Sequence, residues 1–305
     1  MHLSINKLDQ KAVPDLMGDD SKPSVAVLLT CHNRCATTVE ALGALRGAAG
    51  DHITLHTTLV DDGSTDGTAE AVEREFPEVH RIRGSGDLYW NGGMRLAWQS
   101  AIKFNPDFFL WLNDDLSLEP QSIDRLLELW RVRSGAVGKR LIVIGKTISP
   151  TTGETTYGGY WRASRLSKLR FRHRRGDDPD SCDTMNGNCV LIPRIAQQEI
   201  GINSPYFTHS MGDIDYGLRA RRAGYTLVEH QTPVGFQERN EKWAKSVSRM
   251  GLDNWRFILL NPKGVRPIEW FHFCRLHGGV VWPLNFFGKY IRLIFSSSGS
   301  EGRVY

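Results

Sequence analysis

The sequence predicts an α/β protein in which a mostly parallel central sheet is flanked by helices. From Ser24 onward, short apolar runs rich in β-branched residues alternate with helix-like segments, and this alternation is typical of a parallel sheet covered on both faces. Two of the runs end directly in acidic pairs, Asp61 with Asp62 and Asp114 with Asp115. Because ligands of open α/β sheets lie at the carboxyl ends of the strands, these carboxylates predict one shared site for a nucleotide and a metal ion.

The composition is that of a globular protein with a full core. The chain has 305 residues, of which 40% are hydrophobic and 24% charged, enough for one large domain or one domain with an appendage. A net charge of only +4 argues against a nucleic-acid-binding protein. We expect the five cysteines to be reduced thiols of a cytoplasmic protein. The N-terminal residues lack the apolar stretch of a signal peptide, and we expect no membrane-spanning helix.

The first half of the chain predicts three strand–helix units and a fourth strand. The first strand, Val25–Leu29, ends in the polar turn Thr30–Arg34. Thr37–Glu40 has the spacing of a capping box, which predicts the start of a helix that Gly47 or Gly50 ends. The next predicted elements are a strand at 53–60, a helix at 67–76, a strand at 79–82, a helix from about 94 to 104 and a strand at 108–112.

The second half continues with a helix at about 120–133 and a strand at 141–144, followed by hairpin turns within 147–160. A turn at 186–188 leads into a further strand. Ser210 is a candidate cap for a helix that Gly224 ends, which places Asp213 in or beside the first turn. The helix dipole at that position favours the ionised carboxylate.

Five motifs occur in an order that resembles one enzyme family. They are Thr30–Arg34, Val60–Thr68, Asn91-Gly92-Gly93, Asn113-Asp114-Asp115 and Gly212–Arg219. Over about residues 24 to 240 the chain resembles the family 2 glycosyltransferases of GT-A fold, in particular their bacterial rhamnosyltransferase-like branch. The resemblance implies a nucleoside-diphosphate-sugar donor and a divalent metal, Mg²⁺ or Mn²⁺.

The resemblance also implies a role for each matching residue. Asp213 matches the general base, which takes the proton of an acceptor hydroxyl in a single displacement with inversion. Asp115 matches the metal ligand, and Asp114 the residue that supports the metal or the ribose. The residues expected to bind the donor are Thr30, Asn33, Arg34, Asp62, Asn91, Gly92, Gly93, Arg95 and Asp114.

Four of these positions allow more than one interpretation. Asp215 is either a helix-surface carboxylate or a residue that orients the base. Trp90 either stacks on a base or sugar or belongs to the core. Arg95 either meets a phosphate or lies on a helix surface. His230 stands where some relatives supply a metal ligand, but the residues that follow it depart from that pattern.

The remainder of the chain departs from a glycosyltransferase core. Residues 246–305 are rich in aromatic and basic side chains, which suits a helix lying in a membrane interface, a helical appendage packed on the domain, or a dimer contact. Residues 162–175 hold seven Arg or Lys, either solvated or in contact with an anionic acceptor or lipid headgroup. We therefore predict a polar tail at 1–23, a nucleotide-binding half at 24–115, an acceptor-binding half at 116–245 and an appendage at 246–305.

The sequence thus predicts a metal-dependent inverting glycosyltransferase of cell-surface polysaccharide assembly. It would act in the cytoplasm or at the inner face of the membrane, moving a sugar from dTDP-rhamnose or a UDP-sugar to a glycan or lipid-linked acceptor. A sugar nucleotidyltransferase is one alternative, but it requires a glycine-rich basic loop that Thr30–Arg34 does not supply. A non-catalytic protein that binds nucleotide sugars or anionic lipids is the other. A dinucleotide-dependent oxidoreductase is disfavoured because no G-x-G-x-x-G turn follows the first strand.

Overall fold

The computed structural model describes residues 22–164, 168–176, 178–239 and 252–295. A seven-stranded sheet forms its centre. The strands, numbered in chain order, are β1 Ser24–Cys31, β2 Thr54–Asp61, β3 His80–Arg83, β4 Phe108–Leu112, β5 Ser117–Leu118, β6 Leu141–Ile144, β7 Thr147–Ile148, β8 Thr155–Tyr157, β9 Gly159–Arg162, β10 Phe171–Arg172, β11 Thr184–Met185, β12 Cys189–Pro193, β13 Thr226–Glu229 and β14 Gly235–Phe236.

The helices of the described residues flank this sheet or follow it. They are α1 Cys35–Gly47, α2 Thr68–Glu75, α3 Tyr89–Ala101, α4 Ser122–Val137, α5 Arg194–Ile200, α6 Gly212–Arg222, α7 Leu252–Leu260, α8 Pro267–His277 and α9 Trp282–Phe295. None of the helices described is both long and apolar enough to cross a bilayer.

The central sheet has the order β13-β6-β12-β4-β1-β2-β3. Its neighbouring strands pair in parallel except where β12 runs antiparallel to β4 and β6. The mostly parallel sheet predicted from the sequence is confirmed. The carboxyl ends of β1, β2 and β4 and the amino end of β12 therefore meet at one edge, where the two acidic pairs lie. Two small sheets, β10-β9-β11 and β5-β14-β7-β8, complete the fold.

Both faces of the sheet are buried, which explains the near-continuous apolar character of its strands. In β1, Val25, Val27 and Leu29 face one core, while Ala26 and Leu28 face the other. The first core is closed by α1, α2 and α4, and the second by α3, α5 and α6. The continuous apolar run that predicted β1 therefore supplies side chains to two cores, one on each face of the sheet.

Three predicted helix starts are wrong: distant carboxylates set two of them, and the local backbone sets the third. The capping box at Thr37 does not form, because α1 begins at Cys35, whose N–H donates to Asp66 Oδ2 at 2.9 Å. Helix α3 begins at Tyr89, because Asp62 accepts the Tyr89 N–H, so Asn91-Gly92-Gly93 lies inside the helix and not in a turn. Helix α6 begins at Gly212 after a left-handed Met211, with φ of 70°, and Ser210 does not cap it.

The C-terminal helices share a core with the rest of the protein. Trp270, Phe273 and Cys274 of α8 pack with Phe207 before α6 and Ile214 within it. The boundary predicted at 245/246 and most of the predicted tail at 1–23 lie outside the described residues, and the division into domains stays a prediction. Within 162–175, Arg172 pairs with Asp178 and Arg174 with Asp180, so carboxylates of the same region neutralise part of the basic cluster.

Candidate active site

One arginine joins the two residues of the second acidic pair. Arg34 follows β1, and Asp114 and Asp115 follow the adjacent parallel strand β4. Arg34 Nη1 donates to Asp114 Oδ1 at 3.1 Å, and Nη2 donates to Asp115 Oδ2 at 2.5 Å. The strand order therefore brings together three residues predicted for the donor and the metal.

The acidic pair suits a divalent cation. Asp114 is buried, and its Oδ2 atom has no hydrogen-bond partner among the described residues. Burial raises the pKa of Asp114 to about 7, against the opposing effect of Arg34. An unpartnered buried carboxylate oxygen is costly without a positive ligand. The described residues contain no cluster of three or more His, Cys, Asp or Glu side chains that could hold a metal ion. Two carboxylates nevertheless suffice for Mg²⁺ or Mn²⁺, because such ions keep coordination positions for water and phosphate oxygens.

Gln237 is the neighbour of Asp115 that the sequence did not reveal. Its Nε2 donates to Asp115 Oδ1 at 2.5 Å, and its Oε1 accepts from Asn188 Nδ2 at 2.5 Å. Gln237 is placed there by β14, which pairs with β5 just after the acidic motif. His230, the candidate metal ligand of the sequence analysis, bonds through Nδ1 to the Thr232 carbonyl at 2.7 Å, and metal binding by this residue stays a prediction. The contact to Asp115 that the structure shows comes from Gln237.

Asp62 fixes the loop that enters α3. Its Oδ1 accepts from Gly86 N at 2.8 Å and its Oδ2 from Tyr89 N at 3.0 Å. Each carboxylate oxygen has a second lone pair, so donor binding by Asp62 stays a prediction beside this observed structural role. Asn33 similarly joins two loops, because its Oδ1 accepts from Thr65 N at 2.8 Å.

Gly93 allows α3 to lie directly against Thr30 at the end of β1. A Cβ atom at Gly93 would stand 2.1 Å from Thr30 Oγ1, well inside van der Waals contact. The glycine thus serves close packing of the helix on the strand, at a position where Thr30 is almost fully buried.

Replacing this glycine tests the close approach. We expect Gly93→Ala to lower the free energy of unfolding by roughly 1–3 kcal/mol, because the added methyl forces helix and strand apart. Gly43→Ala is the matched control, since a Cβ at that helical glycine meets nothing within 4 Å; alanine should be neutral or stabilising there. Urea unfolding of both variants measures the difference, and equal midpoints would contradict the packing role.

Asn91 and Arg95 anchor the loop before α6. Asn91 is fully buried, and its Nδ2 donates to the carbonyls of Ser204 at 2.8 Å and Phe207 at 2.5 Å. Arg95 donates to the carbonyl of Asn203. These contacts direct both side chains to the loop and not to the acidic pair, so the structure shows them as positioning residues. Gly92 lies in the first turn of α3, beside Leu88.

Asp213 lies in the first turn of α6, as predicted. Its Oδ1 accepts from Ile214 N at 2.8 Å and its Oδ2 from Gly187 N at 3.0 Å. Burial raises the pKa of Asp213 to about 6, while these backbone donors favour the ionised form. A carboxylate held in this way titrates near neutral pH, which is what a general base needs.

Trp90 lies between the acidic motif and the glycine that bonds Asp213. Its indole N–H donates to Asn113 Oδ1 at 2.9 Å, immediately before the acidic pair. Its ring covers Gly187, where a Cβ atom would lie 2.5 Å from the ring, and Gly187 N is the donor to Asp213. Trp90 thereby contacts both Asn113, which precedes the acidic pair, and Gly187, which bonds Asp213.

Asp215 is not a helix-surface carboxylate, and its role in orienting Asp213 stays a prediction. The side chain is fully buried and accepts from Arg219 Nε at 2.8 Å through Oδ2. Its Oδ1 lies 2.8 Å from Nε2 of His277, on α8. The residue therefore connects the helix that carries Asp213 to the C-terminal segment.

Four residues near the site were missed or left without a role by sequence reasoning: Gln237, Asn188, Gly187 and His209. The sequence predicted the turn at Asn186-Gly187-Asn188 before β12, but it gave no indication that this turn contacts Asp213 and Gln237. His209 packs edge-on against Tyr89, at 6.2 Å between ring centroids, and burial lowers its pKa to about 4. No local signal marks Gln237, because its partners are more than forty residues away.

Comparison with known proteins places the chain in a family. The model of the family "Glycosyl transferase family 2" matches residues 26–193, which include most of β1, both acidic pairs and β12. The chain belongs to glycosyltransferase family 2. As a family 2 member it is similar to an N-acetylglucosaminyl-diphospho-decaprenol L-rhamnosyltransferase of Mycobacterium tuberculosis, with 24% identity over 192 residues. That match covers 56% of this chain and 62% of the relative.

Other relatives of this family 2 chain differ in their named sugars. The galactofuranosyltransferase GlfT2 of Mycolicibacterium smegmatis is 27% identical over 237 residues, which cover 68% of this chain and 36% of the relative. Among solved structures, a mannosyltransferase of Pyrobaculum calidifontis in complex with GDP-Man and Mn²⁺ aligns with a TM-score of 0.53 at 15% identity. It covers 94% of this chain and 84% of the other. The likeness shows the GT-A fold.

Proposed function

We propose that this protein is a metal-dependent inverting glycosyltransferase that moves a sugar from a nucleoside diphosphate to a hydroxyl of a glycan or lipid-linked acceptor. One observation carries the proposal: the Arg34, Asp114 and Asp115 cluster and the carboxylate of Asp213 lie on one edge of the sheet, joined through Trp90 and Asn113. A guanidinium for a diphosphate, two carboxylates for a divalent cation and a carboxylate base for an acceptor are thus available at one edge of the sheet.

In the proposed reaction the acceptor hydroxyl oxygen attacks the anomeric carbon while Asp213 takes its proton. The bond from the anomeric carbon to the diphosphate oxygen breaks, and the nucleoside diphosphate leaves with the electron pair. The backbone N–H groups of Gly187 and Ile214 hold the carboxylate in place. No covalent enzyme intermediate is needed, so the configuration at the sugar inverts.

The leaving group carries negative charge that a cation held by the acidic pair would neutralise. Asp114 and Asp115 would hold Mg²⁺ or Mn²⁺, which when bound supplies positive charge to the diphosphate oxygens. Arg34 contributes a guanidinium suited to phosphate oxygens, and Gln237 orients Asp115 from the opposite side. Thr30 and Asp62, at the ends of β1 and β2, are proposed for the base and ribose.

The names of the relatives support the proposed classes of donor and acceptor. The rhamnosyltransferase name specifies a rhamnosyl group and a diphospho-decaprenol-linked acceptor, so dTDP-rhamnose or a UDP-sugar and a lipid-linked glycan are the proposed substrates. Assembly of a cell-surface polysaccharide, on the cytoplasmic side of the membrane, is the corresponding process.

Nucleotide binding tests the donor site. We expect one of UDP, dTDP or GDP, with Mn²⁺ or Mg²⁺, to raise the melting temperature by about 5–10 °C at roughly a hundredfold excess over Kd, because ligand binding stabilises the native state by mass action. The rise should disappear without metal and in Asp115→Ala. Thermal-shift measurements with each nucleotide and metal combination provide the test.

Asp124→Ala is the matched control, because Asp124 is a carboxylate at the start of α4 that bonds Gly50 N away from the site. It should keep the full nucleotide response. If no nucleotide stabilises the wild type with metal, the metal-dependent mechanism is wrong. If Asp115→Ala responds as the wild type does, the acidic pair is not the metal site.

A further inference from the structure

The C-terminal helices expose an apolar surface that the catalytic proposal does not use. Between α8 and α9, Val280 is 95% exposed, and Leu284 of α9 is 74% exposed. Phe287 and Ile291 of the same helix and Ile268 of α8 are also exposed. We call this surface the α8–α9 face.

Helix α9 is apolar on two sides. Trp282, Phe286 and Tyr290 point inward and pack against the core formed with α6 and α8. Leu284, Phe287 and Ile291 follow one another at spacings of three and four, which places them on one stripe of the helix. The inner stripe explains why the helix is docked. Among the residues that the structure describes, none gives the outer stripe such an explanation.

The charges around this face have one sign. Among residues 255–293 the sequence has a single acidic residue, Glu269, which is buried and pairs with Arg266 at 2.8 Å. The exposed charged side chains described on α8 and α9 are cationic, namely Arg275 and Arg292. Exposed apolar side chains among arginines complement an anionic lipid surface. A second copy of this chain would present the same positive charges, which repel one another.

We infer that the α8–α9 face binds an anionic membrane surface, with α9 lying along the interface. The fourteen residues of α9 extend about 21 Å, less than the roughly 30 Å of a hydrocarbon core, so this helix rests on the lipid without crossing it. Leu284, Phe287 and Ile291 enter the acyl boundary, and the arginines meet lipid phosphates.

The docked helices are connected to the residues around Asp213. His277 of α8 contacts Asp215 in α6, and Glu269 of α8 accepts from the Thr208 hydroxyl at 2.9 Å in the loop before α6. Membrane binding would therefore hold the base-bearing helix at a fixed orientation to the lipid surface. This places the proposed base near a lipid-linked acceptor.

The test is sedimentation of the full chain with phosphatidylcholine vesicles, with and without phosphatidylglycerol. We expect binding only to the anionic vesicles, and a loss of about tenfold in partitioning for the double variant Leu284→Gln/Phe287→Gln. Val132→Gln/Val137→Gln is the control, because these two valines are also exposed apolar side chains, on α4 and away from the α8–α9 face, and it should bind as the wild type does. High salt should weaken binding, since it screens the arginines.

Three results would overturn the inference. They are equal binding to neutral and anionic vesicles, equal partitioning of the Leu284/Phe287 variant and the wild type, and a wild-type dimer in sedimentation velocity that this variant abolishes. The last result would assign the face to a second copy. Melting temperatures of the variants show that they are folded. The measurement uses neither donor nor acceptor, so a negative result leaves the proposed sugar transfer standing.

Discussion

Asp213→Asn is expected to lower the rate of sugar transfer by about 10²–10⁴-fold, the usual contribution of a general base. The amide cannot take a proton from the acceptor hydroxyl, although it occupies nearly the same volume. Metal-dependent nucleotide binding should be retained, because the acidic pair and Arg34 are untouched. Steady-state kinetics with the donor identified by thermal shift would measure the fall in kcat.

The control for this substitution must share its local structure. Asp213 accepts two backbone N–H groups, from Ile214 and Gly187, so asparagine turns one acceptor into a donor facing an N–H and costs some stability. Asp124→Asn makes the same chemical change at the start of α4, where Asp124 Oδ2 accepts Gly50 N at 3.0 Å. Its activity should match the wild type. An Asp213→Asn enzyme with undiminished turnover would remove Asp213 from the mechanism.

The pH dependence follows from the same residue. Burial raises the pKa of Asp213 to about 6, and the base acts only in its ionised form, so wild-type kcat should rise with pH through about 6 and then level off. The residual activity of Asp213→Asn should lack this rise. A rise of the same shape in the variant would mean that another group titrates there.

The sequence predicted the sheet and its acidic edge because both depend on local patterns. The apolar runs before Asp61-Asp62 and Asp114-Asp115 are visible in the sequence, and both are strands in the structure. Parallel pairing of β1 with β4 then brings Arg34 to Asp114 and Asp115. The starts of α1 and α3 were wrong because distant carboxylates decide them: Asp66 binds the N–H of Cys35, and Asp62 binds that of Tyr89. Sequence spacing carries no sign of such contacts.

Long-range contacts also explain why a residue predicted to bind the donor makes other contacts in the structure. Asn91 matched a motif position, yet its side chain is buried among the carbonyls of the 203–208 loop. Gln237 has no motif, yet it bonds Asp115 because β14 returns to pair with β5. A motif identifies which residue types occur at the edge of the sheet. The long-range packing of loops decides which of their side chains face the site.

The contact between Asp215 and His277 leads to the largest expected loss of stability. Asp215 is fully buried, with Arg219 Nε at 2.8 Å on one oxygen and His277 Nε2 at 2.8 Å on the other. Arg219 is itself held by the carbonyls of Ile200 and Ile202, so it does not swing into water when its partner is removed. Asp215→Ala therefore leaves a guanidinium that is only 23% exposed, and is held by two carbonyls, without its counter-charge.

We expect Asp215→Ala to lower the free energy of unfolding by about 3 kcal/mol, the lower end of the range found when one partner of a buried ion pair is removed, because Arg219 keeps some contact with water. Urea unfolding would measure it, with Glu128→Ala as the control, because the Glu128–Arg131 pair on α4 is exposed and its loss should be undetectable. In the double variant Asp215→Ala/His277→Ala the losses should be less than additive, since the two side chains share one contact. Strict additivity would mean that α8 is held to α6 by its apolar core alone. Coupling between the two would show that the polar contact also fixes the C-terminal segment to the helix of Asp213.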